Sequence, residues 1–402
     1  MNPGARRRYA LVTLAYWADT LADGAIRTLV LFHFHSLGFG AAQVAALFLT
    51  YEAFGVVTNW AGGRLAARFG LHRTLYLGLI TQVLALTLLV LPDPSARSVA
   101  WVLISQSLSG IAKDLTKMSS KSAVKVVAGE GEGRLFRWVA ALTGSKNALK
   151  GVGFFLGAAL LSAWGFRVAA GVLLTVVLAA LITVFLGLRG GLGEPKPKSP
   201  FGRFFSPDPA VNRLGLARLF LFAARDVWFV IALPVHLSSA LGWPFWQSGA
   251  FLALWVIGYG LIQALAPALW RGGSGPRGGH AAGLAIGLAA LTALLAAGVA
   301  AGYATAAPLI LGLALFGALF ALNSSVHSFL ILAYAGDDQV ARSVGLYYSA
   351  NAVGRLLGTI LSGVLYQWGG GGLTACLGAA AAFLFIAGGV SLGLPRGRRA
   401  DA

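Results

Sequence analysis

Two kinds of ionisable residue stand inside long apolar runs of this sequence. The first kind is cationic. Lys146 and Lys150 occur in TGSKNALKGVGFF with Asn147 beside them, Arg218 and Arg225 occur in ARLFLFAARDVWF, and Asn351 precedes Arg355 in a later run. The members of each set are four or seven residues apart, so on a helix they share a face. Guanidinium and ammonium groups placed this way hold oxyanions: arginine offers a planar fork of donors, lysine a point charge. Lys146, Asn147, Lys150, Arg218, Arg225, Asn351 and Arg355 are therefore candidates for substrate binding. The second kind centres on acids. Asp19, Asp23 and Arg27 recur at four-residue spacing, Glu52 sits in the middle of its run, and Asp114 and Asp226 each follow a cation, Lys113 and Arg225. Acids in an apolar run neutralise a neighbour, gate a pathway or carry a proton. Asp19, Asp23, Arg27, Glu52, Lys113, Asp114 and Asp226 are the candidates for proton coupling or gating.

A tally sharpens the chemistry. The cations inside apolar runs are Arg27, Lys113, Arg137, Lys146, Lys150, Arg218, Arg225 and Arg355, against Asp19, Asp23, Glu52, Asp114 and Asp226. Even with Arg137 set aside as interfacial, cations are in excess. Water, deprotonation or a bound anion must meet the surplus, and arginine does not deprotonate readily. The expected substrate is a small anion with more than one negative group. No paired nucleophile and base, metal triad or cofactor motif is present, so catalysis is not expected. His33 and His35 lack an H-E-x-x-H context, and the single Cys376 allows no intramolecular disulfide. Neither metal nor cofactor is expected. Asn323 and His327, four apart, form a further polar pair, and Trp228, Tyr347 and Tyr348 are read as packing aromatics.

The elements that position these residues follow from composition. Of 402 residues, 57% are hydrophobic and only 11% charged, against about 25% charged in soluble domains. Apolar runs long enough to cross a bilayer lie at 10–31, 41–61, 74–91, 99–118, 134–161, 168–188, 214–236, 246–269, 281–300, 307–331, 342–365 and 373–394. The expected fold is all-α and polytopic, with twelve transmembrane helices in two six-helix bundles. The Pro- and Gly-rich stretch GGLGEPKPKSPFGRFFSPDPAVN divides them, giving bundles at 1–188 and 214–402 about a cytoplasmic linker at 189–213. The net charge of +18 gathers in alternate gaps between runs. That is the pattern of membrane topology, not of a nucleic-acid surface, and it places both termini in the cytoplasm. No Walker A pattern occurs, which leaves a secondary carrier as the expected class.

The gap GGRLAARFGLHRT, residues 62–74, resembles the loop signature of the major facilitator superfamily, G-x-L-A-D-R-x-G-R-K. Ala67 stands where that signature has an aspartate, so the usual pairing of this loop with neighbouring helices is missing. Longer charged strings carry a narrower likeness. YWADTLADGAIRTLVLFHFHSLGF (16–39), QSLSGIAKDLTKMSSKSAVK (106–125), LFRWVAALTGSKNALKGVGFFLG (135–157) and ARLFLFAARDVWFVIALPVHL (217–237) resemble the ArsJ-type organoarsenical efflux permeases of that superfamily. The resemblance implies export of 1-arseno-3-phosphoglycerate, produced by glyceraldehyde-3-phosphate dehydrogenase, with arsenate resistance as the outcome. It further implies a monomer in the bacterial inner membrane. The competing expectation is a carrier of another phosphorylated metabolite, organic anion or drug.

Overall fold

The computed structural model describes residues 3–58, 70–91, 98–128, 132–188, 206, 208–266, 276–302, 306–334 and 340–395, with 3–6, 98, 121–128, 132–144, 332 and 340–344 described by their backbone only. The loop signature through residue 69, the linker at 189–205, the side chains of Arg134 and Arg137, and the C-terminal arginines lie outside the described residues.

The regular structure in the described residues is helical. In a bilayer this follows from the backbone, because an α-helix satisfies its own N–H and C=O groups where no water reaches them. In chain order the helices are α1 (Pro3–Ser36), α2 (Ala41–Leu47), α3 (49–58), α4 (Leu71–Val90), α5 (Ser98–Ala128), α6 (Glu132–Gly187), α7 (Pro209–Phe229), α8 (Ala232–Ser239), α9 (Phe245–Leu265), α10 (Gly278–Ala300), α11 (Ala306–Tyr334), α12 (Val340–Trp368) and α13 (Leu373–Leu392). Seven segments among the described residues are long and apolar enough to cross a membrane: Ala41–Thr58, α4, Ser145–Gly187, α9, α10, Ala306–Ile331 and α13. The other long helices, α1, α5, α7 and α12, carry the in-run charges, which break up their apolar stretches. The protein is an all-α polytopic membrane protein.

Local chemistry moves several expected boundaries. The range of α6 holds two helices that meet at a kink at Gly165, between the expected runs at 134–161 and 168–188. There φ is 75° and ψ 176°, a left-handed conformation open to glycine without a Cβ penalty. Helix α7 begins at Pro209, inside the expected linker, because Asp208 caps it by accepting from the Ala210 N–H at 2.8 Å and proline suits the first turn. The expected run 214–236 is not one helix. It breaks at Val230–Ile231, between α7 and α8. Pro234 explains the break, since its ring displaces the carbonyl four residues back, at Val230. Ser362 Oγ accepts from the freed N–H groups of Ile231 (3.2 Å) and Ala232 (3.0 Å).

The chain forms two compact units. The first comprises Met1–Phe34, Thr50–Pro200 and Pro244–Val256; the second comprises His35–Leu49, Phe201–Trp243 and Ile257–Ala402. This differs from the division expected at the linker by an exchange of two short segments. Small residues account for both. Helix α2 joins the second unit because Ala41 and Ala42 lie against Gly363 of α12, and Gln367 Oε1 accepts from the Ala42 N–H at 2.9 Å. The start of α9 joins the first because Gly249 lies against Ala158 and Phe154 of α6, while Phe245 stacks on Phe32 with ring centroids 4.8 Å apart.

Glycine also sets the contacts that matter for the buried charges. In the first unit, a methyl group at Gly24 of α1 would lie 2.6 Å from the Lys150 carbonyl oxygen of α6. In the second, a methyl at Gly358 of α12 would lie 2.7 Å from Asp226 Cβ and 2.8 Å from the Ala223 carbonyl oxygen of α7. Backbones approach this closely in lipid only where side chains are absent or small. Gly358→Val is expected to destabilise the detergent-solubilised protein by about 1–3 kcal/mol through overpacking. Gly283→Val on α10, where a methyl meets nothing within 4 Å, is the control. Thermal unfolding of the two variants side by side tests this, and equal melting temperatures would refute the close contact.

Candidate functional site

The first unit holds a chain of ion pairs between helices. Arg27 of α1 donates from Nη2 to Glu52 Oε1 of α3 at 2.8 Å, with both side chains almost fully buried. Lys150 of α6 pairs with Asp23 of α1 at 3.3 Å, and the Tyr51 hydroxyl of α3 donates to the other oxygen of the same carboxylate. Asp114 of α5 pairs with Lys117 one turn along at 3.1 Å and accepts from the Thr58 hydroxyl of α3 at 2.9 Å. Lys113 takes a different position, with its ammonium 4.0 Å from the centroid of the Tyr51 ring. Asp19 is 1% exposed, and its Oδ1 has no hydrogen-bond partner.

These contacts decide between readings that spacing left open. Asp19, Asp23 and Arg27 share a face of α1 but do not form a ladder along it; two of them pair with other helices, as Thr28 also does in donating to the Phe154 carbonyl of α6 at 2.9 Å. Glu52 is the partner of an arginine. Lys150 is already engaged by Asp23, so it does not stand ready as an independent anion ligand. Lys146 and Asn147 are half-buried on the same helix. Lys117 is the ion-pair partner of Asp114. A neighbour three residues away lies within reach on a helix, and a buried carboxylate captures it.

The second unit is organised differently. Asp226 of α7 serves two arginines. Arg225, adjacent in sequence, approaches Oδ1 through Nε at 2.6 Å, and Arg355 of α12 lies 3.5 Å from Oδ2. Arg218, two turns earlier on α7, is 5% exposed, and among the described residues no carboxylate pairs with it. Neutral groups hold it instead. Its Nη1 donates to the Ser324 hydroxyl (3.0 Å) and carbonyl (3.2 Å) of α11, and its Nε donates to Asn351 Oδ1 of α12 (3.3 Å). The guanidinium also lies 4.0 Å from the Phe222 ring centroid and 4.8 Å from that of Tyr347. Tyr259 and Gln263 of α9 donate to the same Ser324 hydroxyl at 3.4 and 3.3 Å.

Two further groups border this cluster. Asn323 and His327 of α11 are 0% and 1% exposed. Both amide atoms of Asn323 and Nδ1 of His327 have no hydrogen-bond partner among the described residues. Buried polar atoms are usually satisfied, and an unsatisfied group costs roughly 1–3 kcal/mol. The tertiary structure thus brings Arg218 together with Asn351, and Arg225 with Arg355 about Asp226. It adds Ser324, Tyr259 and Gln263, which spacing does not single out because lone hydroxyls and amides are frequent in helices. Trp228 packs edge-on against Phe229 and Phe316, at 5.6 and 5.0 Å, as expected of a core aromatic. His33 stacks on Phe166 at 4.2 Å and His35 bonds to Ser239 Oγ at 2.7 Å.

An all-helical membrane protein with such buried charge clusters has the build of a membrane carrier. The sequence profile described as Major Facilitator Superfamily matches residues 12–272. The chain belongs to that superfamily, and its fold and family mark it as a transporter rather than an enzyme. Among solved structures it is similar to a POT family transporter in complex with a thioalcohol-conjugated peptide, at 13% identity and a TM-score of 0.76, covering 96% of this chain and 95% of that one. It is also similar to a POT family transporter in complex with 5-aminolevulinic acid, at 14% identity, a TM-score of 0.75 and the same coverage. A peptide transporter POT in complex with alafosfalin matches at 15% identity and a TM-score of 0.75, covering 96% of this chain and 93% of that one. At these identities the likeness is one of fold. No curated protein matches the chain.

The ion pairs make a direct prediction. Removing one partner of a buried pair strands the other charge and costs about 3–5 kcal/mol, whereas removing both is far milder. Arg27→Ala alone is expected to lower thermal stability strongly, and Arg27→Ala with Glu52→Ala to recover most of it. A double-mutant cycle on the solubilised protein tests this; additive losses would dissolve the pair.

Proposed function

We propose that this carrier exports a small organic anion bearing two negatively charged groups. The observation that carries this reading is the charge balance of the second unit. Arg218, buried, and Arg225 and Arg355, partly buried, are set against the one buried carboxylate described there, Asp226. Such a surplus is costly in a bilayer, where a charge at the centre of a helix costs about 2.5–3.5 kcal/mol on insertion scales. A bound polyanion offsets it. In this reading Arg225 and Arg355, on either side of Asp226, hold one oxyanion. Arg218, with Asn351 and Ser324, holds another group, and the unpartnered amide of Asn323 serves a hydroxyl of the cargo. Asn147 and Lys146 of the first unit remain candidate ligands, and Lys150 contributes by way of its pair with Asp23.

The likeness of the charged strings to organoarsenical permeases narrows the cargo to 1-arseno-3-phosphoglycerate, which carries a phosphate and an arsenate on a three-carbon skeleton. Glyceraldehyde-3-phosphate dehydrogenase would then be the producing enzyme, and arsenate resistance the physiological result. We further infer twelve spans, six in each bundle, both termini in the cytoplasm, a bacterial inner-membrane location and action as a monomer. A second reading has specific support. Arginine forks recognise phosphate and carboxylate oxygens whatever the parent molecule, and the superfamily match supports solute transport without selecting an arsenical. That reading is export of another phosphorylated metabolite or organic anion.

Everted vesicles separate the two readings. Uptake of freshly synthesised 1-arseno-3-phosphoglycerate is expected in vesicles carrying the protein, with 3-phosphoglycerate as competitor. Strong uptake of 3-phosphoglycerate and none of the arsenical would favour the second reading. In cells without other arsenic pumps, resistance to arsenate is expected only when the dehydrogenase is co-expressed. Losing a hydrogen bond to a charged group costs about 1.5–3 kcal/mol, so Arg218→Ala and Arg355→Ala should each weaken substrate uptake about tenfold or more. Unchanged uptake in either would remove that arginine from the site.

A further inference from the structure

Among the buried carboxylates described in the first unit, Asp19 stands apart. Glu52 is held by Arg27, Asp23 by Lys150 and Tyr51, and Asp114 by Lys117 and Thr58. Asp19 has neither an ion-pair partner nor a hydrogen bond among the described residues, although it is as deeply buried as the others. The charged groups facing it are Asp23 from its own helix and Lys113 and Asp114 from α5. Lys113 is the complementary exception. It is the cation of this cluster that rests on an aromatic ring, that of Tyr51, and not on a carboxylate.

A buried carboxyl without a fixed counter-charge has two tolerable states. It holds a proton and is neutral, or it is ionised with a cation brought onto it. Lys113 is suited to the second state. A lysine ammonium is a compact charge on a flexible four-carbon stem, and its present site over a tyrosine ring is a weak one, of the order of 0.5–2 kcal/mol. Its two other acidic neighbours already have partners. We propose that Asp19 is the proton-binding residue of this carrier, and that Lys113 moves from the Tyr51 ring onto the Asp19 carboxylate when the proton leaves. The O–H bond of the carboxylic acid breaks, the proton passes to water, and the ammonium replaces it as the counter-charge. The other pairs stay intact. Tyr51 links this exchange to the rest of the unit, because its ring carries Lys113 while its hydroxyl donates to Asp23, the partner of Lys150.

The inference rests on the carrier class and needs no particular cargo.

The test is likewise independent of cargo. Infrared spectroscopy of the purified full chain in lipid, titrated with pH, is expected to show the carbonyl stretch of a protonated carboxylic acid that disappears on alkalinisation. Asp19→Asn should remove that band, and Asp19→Glu should restore one at a shifted frequency. In Lys113→Gln the band should persist at the pH where the wild type loses it, because the replacing cation is gone. A band retained in Asp19→Asn, or a Lys113→Gln titration identical to wild type, would overturn the proposal. In everted vesicles loaded with 1-arseno-3-phosphoglycerate, Asp19→Asn should lose accumulation driven by a pH gradient yet keep exchange of internal for external substrate. Accumulation driven by a sodium gradient would also overturn it. If the wild type does not move that compound, the cargo reading fails while the infrared titration still decides the proton site.

Discussion

A charge inside a bilayer-embedded bundle has no bulk water to solvate it, so it needs a partner on a neighbouring helix, and that need governs both units. The pairs Arg27–Glu52 and Lys150–Asp23 tie α1 to α3 and to α6. They form because the helices come close, and the helices come close because glycine stands at the contact, as at Gly24 against Lys150. The second unit repeats the arrangement with other residues. Gly358 lets α12 approach α7 at Asp226, and Arg355 then reaches that carboxylate. Small residues and buried charges are thus two halves of one device. The first sets the distance, and the second makes the distance worth holding.

The two units then diverge in what they do with charge. Among the described residues of the first, Arg27, Lys117 and Lys150 each have a carboxylate partner, while Asp19 forms no ion pair and Lys113 rests on the Tyr51 ring. In the second, carboxylates run short, and arginines are held by hydroxyls, amides and aromatic faces. Neutral partners fix the position of a guanidinium without cancelling its charge, which leaves it effective toward an incoming anion. An apolar face and a nearby ring strengthen that effect by keeping water away. Under the proposed function, coupling chemistry falls mainly to the first unit and anion recognition mainly to the second.

Membership in the superfamily defines the machinery and not the cargo. Structures at 13–15% identity share the architecture over almost the whole chain, yet function resides in the particular side chains that such a scaffold carries. The charged strings of α1, α5, α6 and α7 are therefore the informative part of this protein. A scaffold tolerates many apolar sequences, but each buried charge is retained against a cost.

The sequence by itself determined the helical membrane character and most of the run positions. Apolar length and charge placement act locally and along the chain, so they are legible there. The cap at Asp208 and the break ahead of Pro234 were legible in principle too, being local rules of the backbone. Only the tertiary structure decided the pairings. Spacing put Asp19, Asp23 and Arg27 on one face, but it could not reveal that Asp23 and Arg27 pair with different helices while Asp19, among the described residues, forms no ion pair. It could not place Tyr51, Thr58 or Ser324 at charged groups, since a hydroxyl gains its role from whichever helix packs beside it. Nor could it reveal that α2 and the start of α9 each exchange units. Partners in a bundle are chosen by contacts between helices far apart in the chain, and residue spacing within one helix carries no record of them.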